Sequence, residues 1–222
     1  MKKKARSEPP DLGRFGRLAE YNRKRRFGVT PEPAGKVVPA KKKAREFVVQ
    51  KHRASHLHYD FRLEHDGVML SWAVPKGPSL DPSVRRLAMQ TEDHPIDYNQ
   101  FEGVIPEGEY GGGTVMIWDR GTWEPEVDDV DRALEKDDLK FRLSGKKLKG
   151  SWVLVRTRDR QWLLIKHRDK YATTDDVTAA KNKSVVSRRT LASIGKAAGA
   201  SAKQLEEAKK ADATFAGAAA AR

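Results

Sequence analysis

The alternation of residues 57–64 constrains the fold of this chain more strongly than any other stretch. Apolar and polar side chains alternate strictly there, in the order Leu57, His58, Tyr59, Asp60, Phe61, Arg62, Leu63 and Glu64. A period of two predicts a β-strand with one face turned to a core. Because Asp66-Gly67 is a strong turn signal and residues 68–74 follow as an apolar run, the two stretches together predict a β-hairpin.

Short strands are predicted along much of the remaining chain. They are expected at residues 86–92, 114–118, 122–124, 139–143, 150–157 and 161–167, with Asp119-Arg120-Gly121 as the turn between the second and third. A short helix is expected around residues 130–136, inside an acidic segment. At least seven short strands with turn signals between them predict an all-β barrel or sandwich.

The distribution of charge divides the chain into three parts. The net charge is +13, but residues 47–171 carry 20 Lys/Arg against 21 Asp/Glu, whereas residues 1–46 carry 15 against 5 and residues 172–222 carry 9 against 5. We expect residues 1–46 to form a basic arm partly packed on the domain, residues 47–171 the folded domain, and residues 172–222 an Ala/Lys-rich, mostly disordered tail. The basic flanks indicate a polyanionic partner such as nucleic acid, although solvated tails would have the same composition.

Two absences from the sequence exclude whole classes of protein. The chain has no cysteine, so disulfides, thiolate metal sites and a cysteine nucleophile are excluded. No apolar stretch approaches the ~20 residues that span a bilayer, and the charged start is not followed by the apolar stretch of a secretory signal. We expect a cytoplasmic protein associated with the nucleoid.

The polar face of the predicted strand 57–64 is a candidate metal site. His58 and Asp60 lie on that face, and His52 stands six residues before His58, close enough to join them if residues 53–57 bend. Two neutral imidazoles and one carboxylate suit Mn²⁺, Fe²⁺ or Zn²⁺ and leave coordination positions open. An ordinary solvated face of an antiparallel strand is the alternative at this point.

Several blocks of residues resemble one known family. They are Gln50-Lys51-His52, Leu57 to Glu64, Trp72 to Gly77, Glu92-Asp93-His94-Pro95 and Glu107 to Gly111. In this order they are similar to the 3′-phosphoesterase module of the bacterial end-joining protein Ligase D, over roughly residues 21–171. The resemblance implies a compact β-barrel of about seven to eight short antiparallel strands with one or two short helices. It also implies Mn²⁺-dependent healing of 3′ ends, in which a terminal ribonucleoside and then the remaining 3′-phosphate are removed to leave a 3′-hydroxyl.

The resemblance also assigns roles to individual residues. It implies that His52, His58 and Asp60 bind the metal and that Arg62, Lys76 and His94 surround the scissile phosphate. It further associates Tyr98 with the monoesterase step and places a functional basic residue and a functional acidic residue in the arm, at Arg25 and Glu32. Arg26 departs from the family pattern, in which an aspartate is expected at that position.

Two other functions remain open from the sequence. His58-x-Asp60 with a distant His94 or His167 matches the facial triad of non-haem Fe(II) oxygenases, and a DNA-end-binding accessory module without turnover would also use basic flanks. The expected partners are nucleic-acid 3′ ends, namely primer-template DNA that ends in a ribonucleotide or a 3′-phosphate. The chain has no Lys-x-Asp-Gly motif for nucleotidyl transfer. We therefore expect a free-standing enzyme that works with a separate DNA ligase and an end-binding protein.

Overall fold

The fold is that of a closed β-barrel, seen in a computed structural model that describes residues 16–37 and 44–219. Its strands are β1 (Arg45–Arg53), β2 (Leu57–His65), β3 (Val68–Val74), β4 (Arg85–Gln90), β5 (Gly103–Ile105), β6 (Gly113–Pro125), β7 (Asp138–Gly145), β8 (Lys149–Arg158) and β9 (Gln161–Lys166). Its α-helices are α1 (Ala19–Arg23), α2 (Val130–Glu135), α3 (Val177–Ala180), α4 (Leu191–Ala197) and α5 (Ala202–Ala219), and a 3₁₀-helix covers Ile96–Gln100.

Eight of the nine strands form the barrel wall. The antiparallel order is β1-β2-β3-β4-β9-β8-β7-β6, and β6 pairs back with β1 to close the ring, while β5 pairs with β6 outside it. The predicted all-β barrel is therefore confirmed, and the sandwich alternative is wrong because one sheet closes on itself. The predicted hairpin is β2-β3, whose turn residues Asp66 and Gly67 both have positive φ, as a two-residue type I′ turn requires.

Nine aromatic side chains belong to the buried core that fills the barrel. Tyr59, Phe61 and Leu63 of β2 point inward as their alternation predicted, and all five tryptophans are at most 1% exposed. Aromatic side chains bury the largest apolar areas, which stabilises a barrel of this size. The opposite face of β2 is left to carry polar groups on the outside of the barrel wall.

One predicted turn is wrong, because β6 runs without interruption through Asp119-Arg120-Gly121. The register of β6 against β1 shifts between Val49 and Gln50, so a β-bulge bends the strand there instead of ending it. A Cβ on Gly121 would collide with the backbone of Ser144 in β7. This glycine therefore permits close strand pairing and does not mark a turn.

The expectation of a mostly disordered tail is wrong for the described part of residues 172–222. Helices α3, α4 and α5 pack on the barrel, and their apolar residues Val177, Leu191, Ile194, Ala208 and Ala211 belong to the same buried core as the strands. This segment has too few apolar residues to fold alone, but the barrel supplies the surface against which it packs. Together with α1 and α2, these helices bring the number of α-helices in the described residues to five, more than the one or two expected.

The described part of the N-terminal arm, residues 16–37, lies over the outer face of the barrel. Leu18 and Tyr21 are fully buried and form a small apolar cluster with Val68 and Tyr98, separate from the main core. The segment therefore covers the face of β2 that carries the polar row. Among the described residues, no helix is long and apolar enough to cross a membrane.

Candidate active site

Three side chains of the β1-β2 hairpin converge on one point outside the barrel. His52 and His58 are directly opposite each other in the β1-β2 register, and Asp60 lies two residues further along β2 on the same face. One nitrogen from each imidazole and a carboxylate oxygen all lie within 4.8 Å of one another. His52 Nδ1 is 3.5 Å from Asp60 Oδ2, and His58 Nε2 is 3.6 Å from Asp60 Oδ1. These are the three residues that the sequence singled out as metal ligands.

The second nitrogen of each imidazole is hydrogen-bonded to a backbone carbonyl. His52 Nε2 lies 2.9 Å from the Gly111 carbonyl oxygen, and His58 Nδ1 lies 3.0 Å from the His56 carbonyl oxygen. A carbonyl accepts only from a protonated nitrogen, so each contact directs the lone pair of the other nitrogen towards Asp60. Such partners orient metal-binding histidines in proteins, and this donor set therefore fits a divalent metal.

The charge state of the cluster also suits a metal. Burial raises the pKa of Asp60, but the positive charge of Arg62 counteracts burial and helps to hold that pKa well below its ordinary value. Burial lowers the pKa of His58, and Asp60 compensates only in part. The carboxylate is therefore ionised and the His58 imidazole neutral near pH 7, which are the protonation states of metal ligands.

Arg62 is held rigidly beside the cluster. Its guanidinium donates to Gln50 Oε1 at 3.1 Å and to Ser71 Oγ at 2.5 Å, and it lies 3.3 Å from Asp60 Oδ2. The Arg62 side chain is 2% exposed and stacks on the ring of Tyr98 at 4.9 Å. A guanidinium fixed in this way presents positive charge without further loss of side-chain entropy when an anion binds.

His94 and Arg25 lie on the other side of the same cavity. His94 Nδ1 is 2.9 Å from the Glu92 carbonyl oxygen, so Nε2 carries the lone pair and accepts from the Arg25 guanidinium at 3.2 Å. Burial lowers the pKa of His94 well below its ordinary value, and Arg62 and Arg25 lower it further. His94 is therefore a neutral imidazole in this structure.

Glu32 connects the arm to the site. Its carboxylate accepts hydrogen bonds from Arg25 Nε at 2.9 Å, from the Tyr98 hydroxyl at 3.0 Å and from Thr30 Oγ1 at 2.8 Å. Burial raises the pKa of Tyr98 well above its ordinary value, and the Glu32 charge raises it further. Tyr98 is therefore a neutral hydrogen-bond donor. The two arm residues named from the sequence, Arg25 and Glu32, are thus brought to the same cavity as the cluster.

These groups line one cavity of about 320 Å³. It contains eight of the nine site residues named from the sequence: Arg25, Glu32, His52, His58, Asp60, Arg62, His94 and Tyr98. Lys76 is exposed, follows the end of β3 and does not belong to the cavity lining. Arg26 is also exposed and pairs with Glu109, and neither residue belongs to the cavity lining.

Sequence reasoning missed several residues of this site. Gln50 orients Arg62 and also donates to the carbonyls of Tyr98 and Phe101. Glu92 accepts from both Lys24 and Arg25. Tyr110 lines the cavity, is 50% exposed and lies beneath the Lys24 ammonium at 4.8 Å. Gln50, Glu92 and Tyr110 stand inside the blocks that carried the family resemblance, and that was the only signal for them.

The oxygenase alternative loses its proposed third ligand. Within the described residues, the only cluster of His, Asp or Glu able to hold a metal is His52, His58 and Asp60. His94 is engaged by Arg25 and Glu92, and His167 bonds Ser151 at the end of β9. Neither histidine joins His58 and Asp60.

Comparison with known proteins identifies a family that the chain matches. Residues 50–156 match the family model described as the DNA Ligase D 3′-phosphoesterase domain. A multifunctional non-homologous end joining protein LigD of Pseudomonas aeruginosa is 55% identical over 183 residues, which cover 78% of this chain and 22% of that protein. The LigD protein of Mycobacterium bovis is 46% identical over 147 residues, covering 66% of this chain and 19% of that protein.

The chain therefore spans about a fifth of the length of these curated relatives. The matched residues include strands β2 to β7, the cluster of His52, His58 and Asp60, and His94. Through residues 50–156, the chain belongs to the DNA Ligase D 3′-phosphoesterase domain family.

Proposed function

We propose that this chain is a Mn²⁺-dependent phosphoesterase that heals the 3′ ends of nucleic acids for repair by end joining. Its two steps are removal of a terminal ribonucleoside and removal of the remaining 3′-phosphate, which leaves a 3′-hydroxyl. The observation that carries the proposal is the convergence of three metal-binding atoms on one point, beside two almost fully buried arginines. A cavity with this arrangement suits a phosphate ester better than a neutral substrate.

His52, His58 and Asp60 would hold the metal, and a set of two imidazoles and one carboxylate is compatible with Mn²⁺. When bound, the metal supplies Lewis-acid chemistry, polarising a phosphoryl oxygen and neutralising the charge that develops on it.

Arg62 and Arg25 supply fixed positive charge from the two sides of the cavity. Both are already oriented by hydrogen bonds, Arg62 to Gln50 and Arg25 to Glu32. Preorganised donors stabilise a developing oxyanion without reorganisation at the moment of reaction. The role of Lys76 remains a prediction from the resemblance: its ammonium would contact the substrate phosphate from outside the cavity lining.

His94 is the residue best suited to transfer a proton. Its Nε2 faces the cavity, and the lone pair of this nitrogen accepts a hydrogen bond from Arg25. A phosphate dianion bound between the two arginines would raise the pKa of His94, because a nearby negative charge favours the imidazolium. A substrate oxygen would then exchange a proton with Nε2, while the neutral Tyr98 hydroxyl donates a hydrogen bond.

Tyr110 supports a nucleic-acid substrate over a small phosphate ester. Half of its side chain is exposed at the cavity, and Lys24 and Arg25 lie close to its ring. Aromatic rings in basic surroundings stack nucleobases without regard to sequence. We propose that the partners are primer-template 3′ ends and, in the cell, a separate ligase and end-binding protein, with the enzyme in the cytoplasm beside the nucleoid.

The test uses a primer-template duplex ending in a 3′-ribonucleotide, and the same duplex ending in a 3′-phosphate. Each is incubated with the full chain and one divalent metal at a time. We expect release of the nucleoside and then of phosphate with Mn²⁺. H58A should abolish both steps, whereas the control H167A should retain them.

Binding of the duplex without any product under all metals would favour the accessory module. Turnover that requires oxygen and 2-oxoglutarate would favour the oxygenase. Either result would overturn the proposal.

A further inference from the structure

A second groove lies between the β7-β8 turn and residues 179–190, in a part of the chain that the match to the phosphoesterase family does not fully cover. Its volume is about 690 Å³, and it shares no lining residue with the cavity of the metal cluster. Five of its eleven lining residues are basic and none is acidic; the basic ones are Lys146, Lys147, Lys181, Lys183 and Arg188.

Among these five basic residues, Lys147 has a structural role. Its buried ammonium donates to the carbonyls of Lys181 and Lys183, both at 2.7 Å, and lies 4.3 Å from the centre of the Trp118 ring. These contacts attach the groove wall to the barrel. The other four cations are exposed and form no ion pair within the described residues, so they are available to an anion from solution.

One buried carboxylate, that of Asp119, lies beside the groove wall. Asp119 accepts hydrogen bonds from the backbone N–H groups of Lys146, Lys147 and Leu148 at 3.0, 3.0 and 2.7 Å. Burial lowers the pKa of Lys147 to about 7, and repulsion from Lys181 and Lys51 adds to this effect against the attraction of Asp119. Asp119 thus compensates Lys147 only in part, and the positive charge of the groove comes from its four exposed cations.

The groove wall is also preorganised. The Val185 N–H donates to the Ile117 carbonyl of β6 at 3.1 Å, and the Ser184 N–H donates to the Arg189 carbonyl at 2.9 Å. Within this loop Ser184 Oγ accepts from the N–H groups of Val186 and Ser187, both at 3.1 Å. Because hydrogen bonds fix the loop, its cations are presented without a large ordering cost on binding.

We propose that this groove binds the phosphate backbone of a polynucleotide, at a site separate from the metal centre. Four unpaired cations around one groove match a repeated anion better than a single phosphate, because each cation can displace a condensed counterion from a different phosphate. The choice of a polynucleotide as the ligand rests on the proposed function. The groove then holds the duplex or a flanking strand while the 3′ end occupies the cavity of the metal cluster.

The first test compares two variants of the full chain that lose the same charge. The groove variant carries K146Q, K181Q, K183Q and R188Q. The control carries R132Q, K136Q, R158Q and R160Q, four exposed positions in or next to α2 and at the end of β8 and the turn that follows it. Lys147 is left unchanged because its ammonium bonds the backbone. Binding of a fluorescein-labelled duplex with 3′-hydroxyl ends is measured by anisotropy in EDTA over a range of salt concentrations.

We expect the groove variant to bind the duplex about tenfold or more weakly than wild type. The slope of log K against log salt concentration should also become shallower, by about 0.9 for each phosphate that the variant no longer neutralises. The control should lose much less affinity. Equal losses in the two variants would overturn the proposal, because they would reduce it to an effect of net charge.

A second test needs no variant and so does not depend on folding. Wild-type protein is acetylated at lysine with and without duplex, and modification at Lys146, Lys181 and Lys183 is compared with that at Lys136. Protection confined to the groove lysines supports the proposal, and equal modification with and without duplex refutes it. Because both tests are run without metal, a chain that binds through the groove but never releases phosphate would refute the proposed function alone.

Discussion

Replacement of Glu32 by glutamine should detach the arm from the site without unfolding the barrel. The Glu32 carboxylate is 1% exposed and the Arg25 side chain 4% exposed, and three donors point at this carboxylate. An amide keeps the shape of the group but removes its charge, and it turns one acceptor into a donor that faces other donors. E32Q therefore leaves part of the Arg25 and Tyr98 hydrogen bonding unsatisfied.

The free-energy cost expected for E32Q follows from these contacts. Breaking one side of a buried ion pair costs about 3–5 kcal/mol. Arg25 keeps Glu92 at 3.3 Å, so we expect the lower end of that range, about 3 kcal/mol, which corresponds to about a hundredfold change in an opening equilibrium. The apolar cluster beneath residues 16–37 is separate from the barrel core. The change should therefore appear as local opening.

Hydrogen exchange followed by mass spectrometry measures this opening directly. In E32Q the amides of Val29, Thr30 and Gly35, each hydrogen-bonded within the arm, should exchange about a hundredfold faster, in line with the free energy above. The amides of β7 and β8 should be unchanged. The control is E20Q, since Glu20 is 37% exposed and, within the described residues, pairs only with Lys24, and a surface pair contributes about 0.3–0.5 kcal/mol. A change of less than threefold in the exchange rates of the arm amides, or an equal increase in those of the barrel amides, would contradict this prediction.

Three further predictions concern the metal, pH and the barrel. Titration calorimetry should show that D60N weakens Mn²⁺ binding by about a hundredfold or more, because the only carboxylate of the cluster is lost; wild-type affinity in this variant would exclude the site. Burial lowers the pKa of Lys147 to about 7 in the folded chain, so between pH 7 and 10 the unfolded chain keeps a proton on this side chain that the folded chain tends to release. The free energy of unfolding of the wild type, measured in urea, should therefore rise with pH relative to that of K147M. A parallel pH dependence in both proteins would contradict this. G113A should lower the free energy of unfolding by at least about 2 kcal/mol, because its Cβ would collide with the Arg53 backbone at positive φ, whereas G28A meets nothing within 4 Å and should unfold like wild type.

The sequence predicted those parts of the fold that depend on neighbouring residues. The alternation of residues 57–64 and the Asp66-Gly67 turn are local signals, and both are confirmed by β2 and its hairpin with β3. The same alternation placed His58 and Asp60 on one face. The motif blocks supplied the family and, with it, the two arm residues Arg25 and Glu32, which no periodicity would have identified.

Features that depend on distant contacts could not be predicted in this way. The carbonyl of Gly111 orients His52 across 59 residues, and Gln50 orients Arg62 from the neighbouring strand. The segment 172–222 has the composition of a disordered tail, yet Leu191 and Ala211 are buried because the barrel offers them an apolar surface. The turn predicted at Asp119 failed because the Asp119 carboxylate instead bonds backbone N–H groups of the β7-β8 turn.

The amino-acid sequence by itself thus predicted most of the strands, the β2-β3 hairpin and the donor chemistry of the candidate metal site, since these follow from side-chain period, turn residues and donor type. Only the tertiary structure decided which nitrogen of each histidine faces Asp60, how Arg25 and Arg62 come to flank one cavity, and where unpaired cations collect in a second groove. The reason is physical: side-chain alternation acts over two residues, whereas hydrogen bonds to distant carbonyls and the burial of charge exist only after the chain has closed into a barrel.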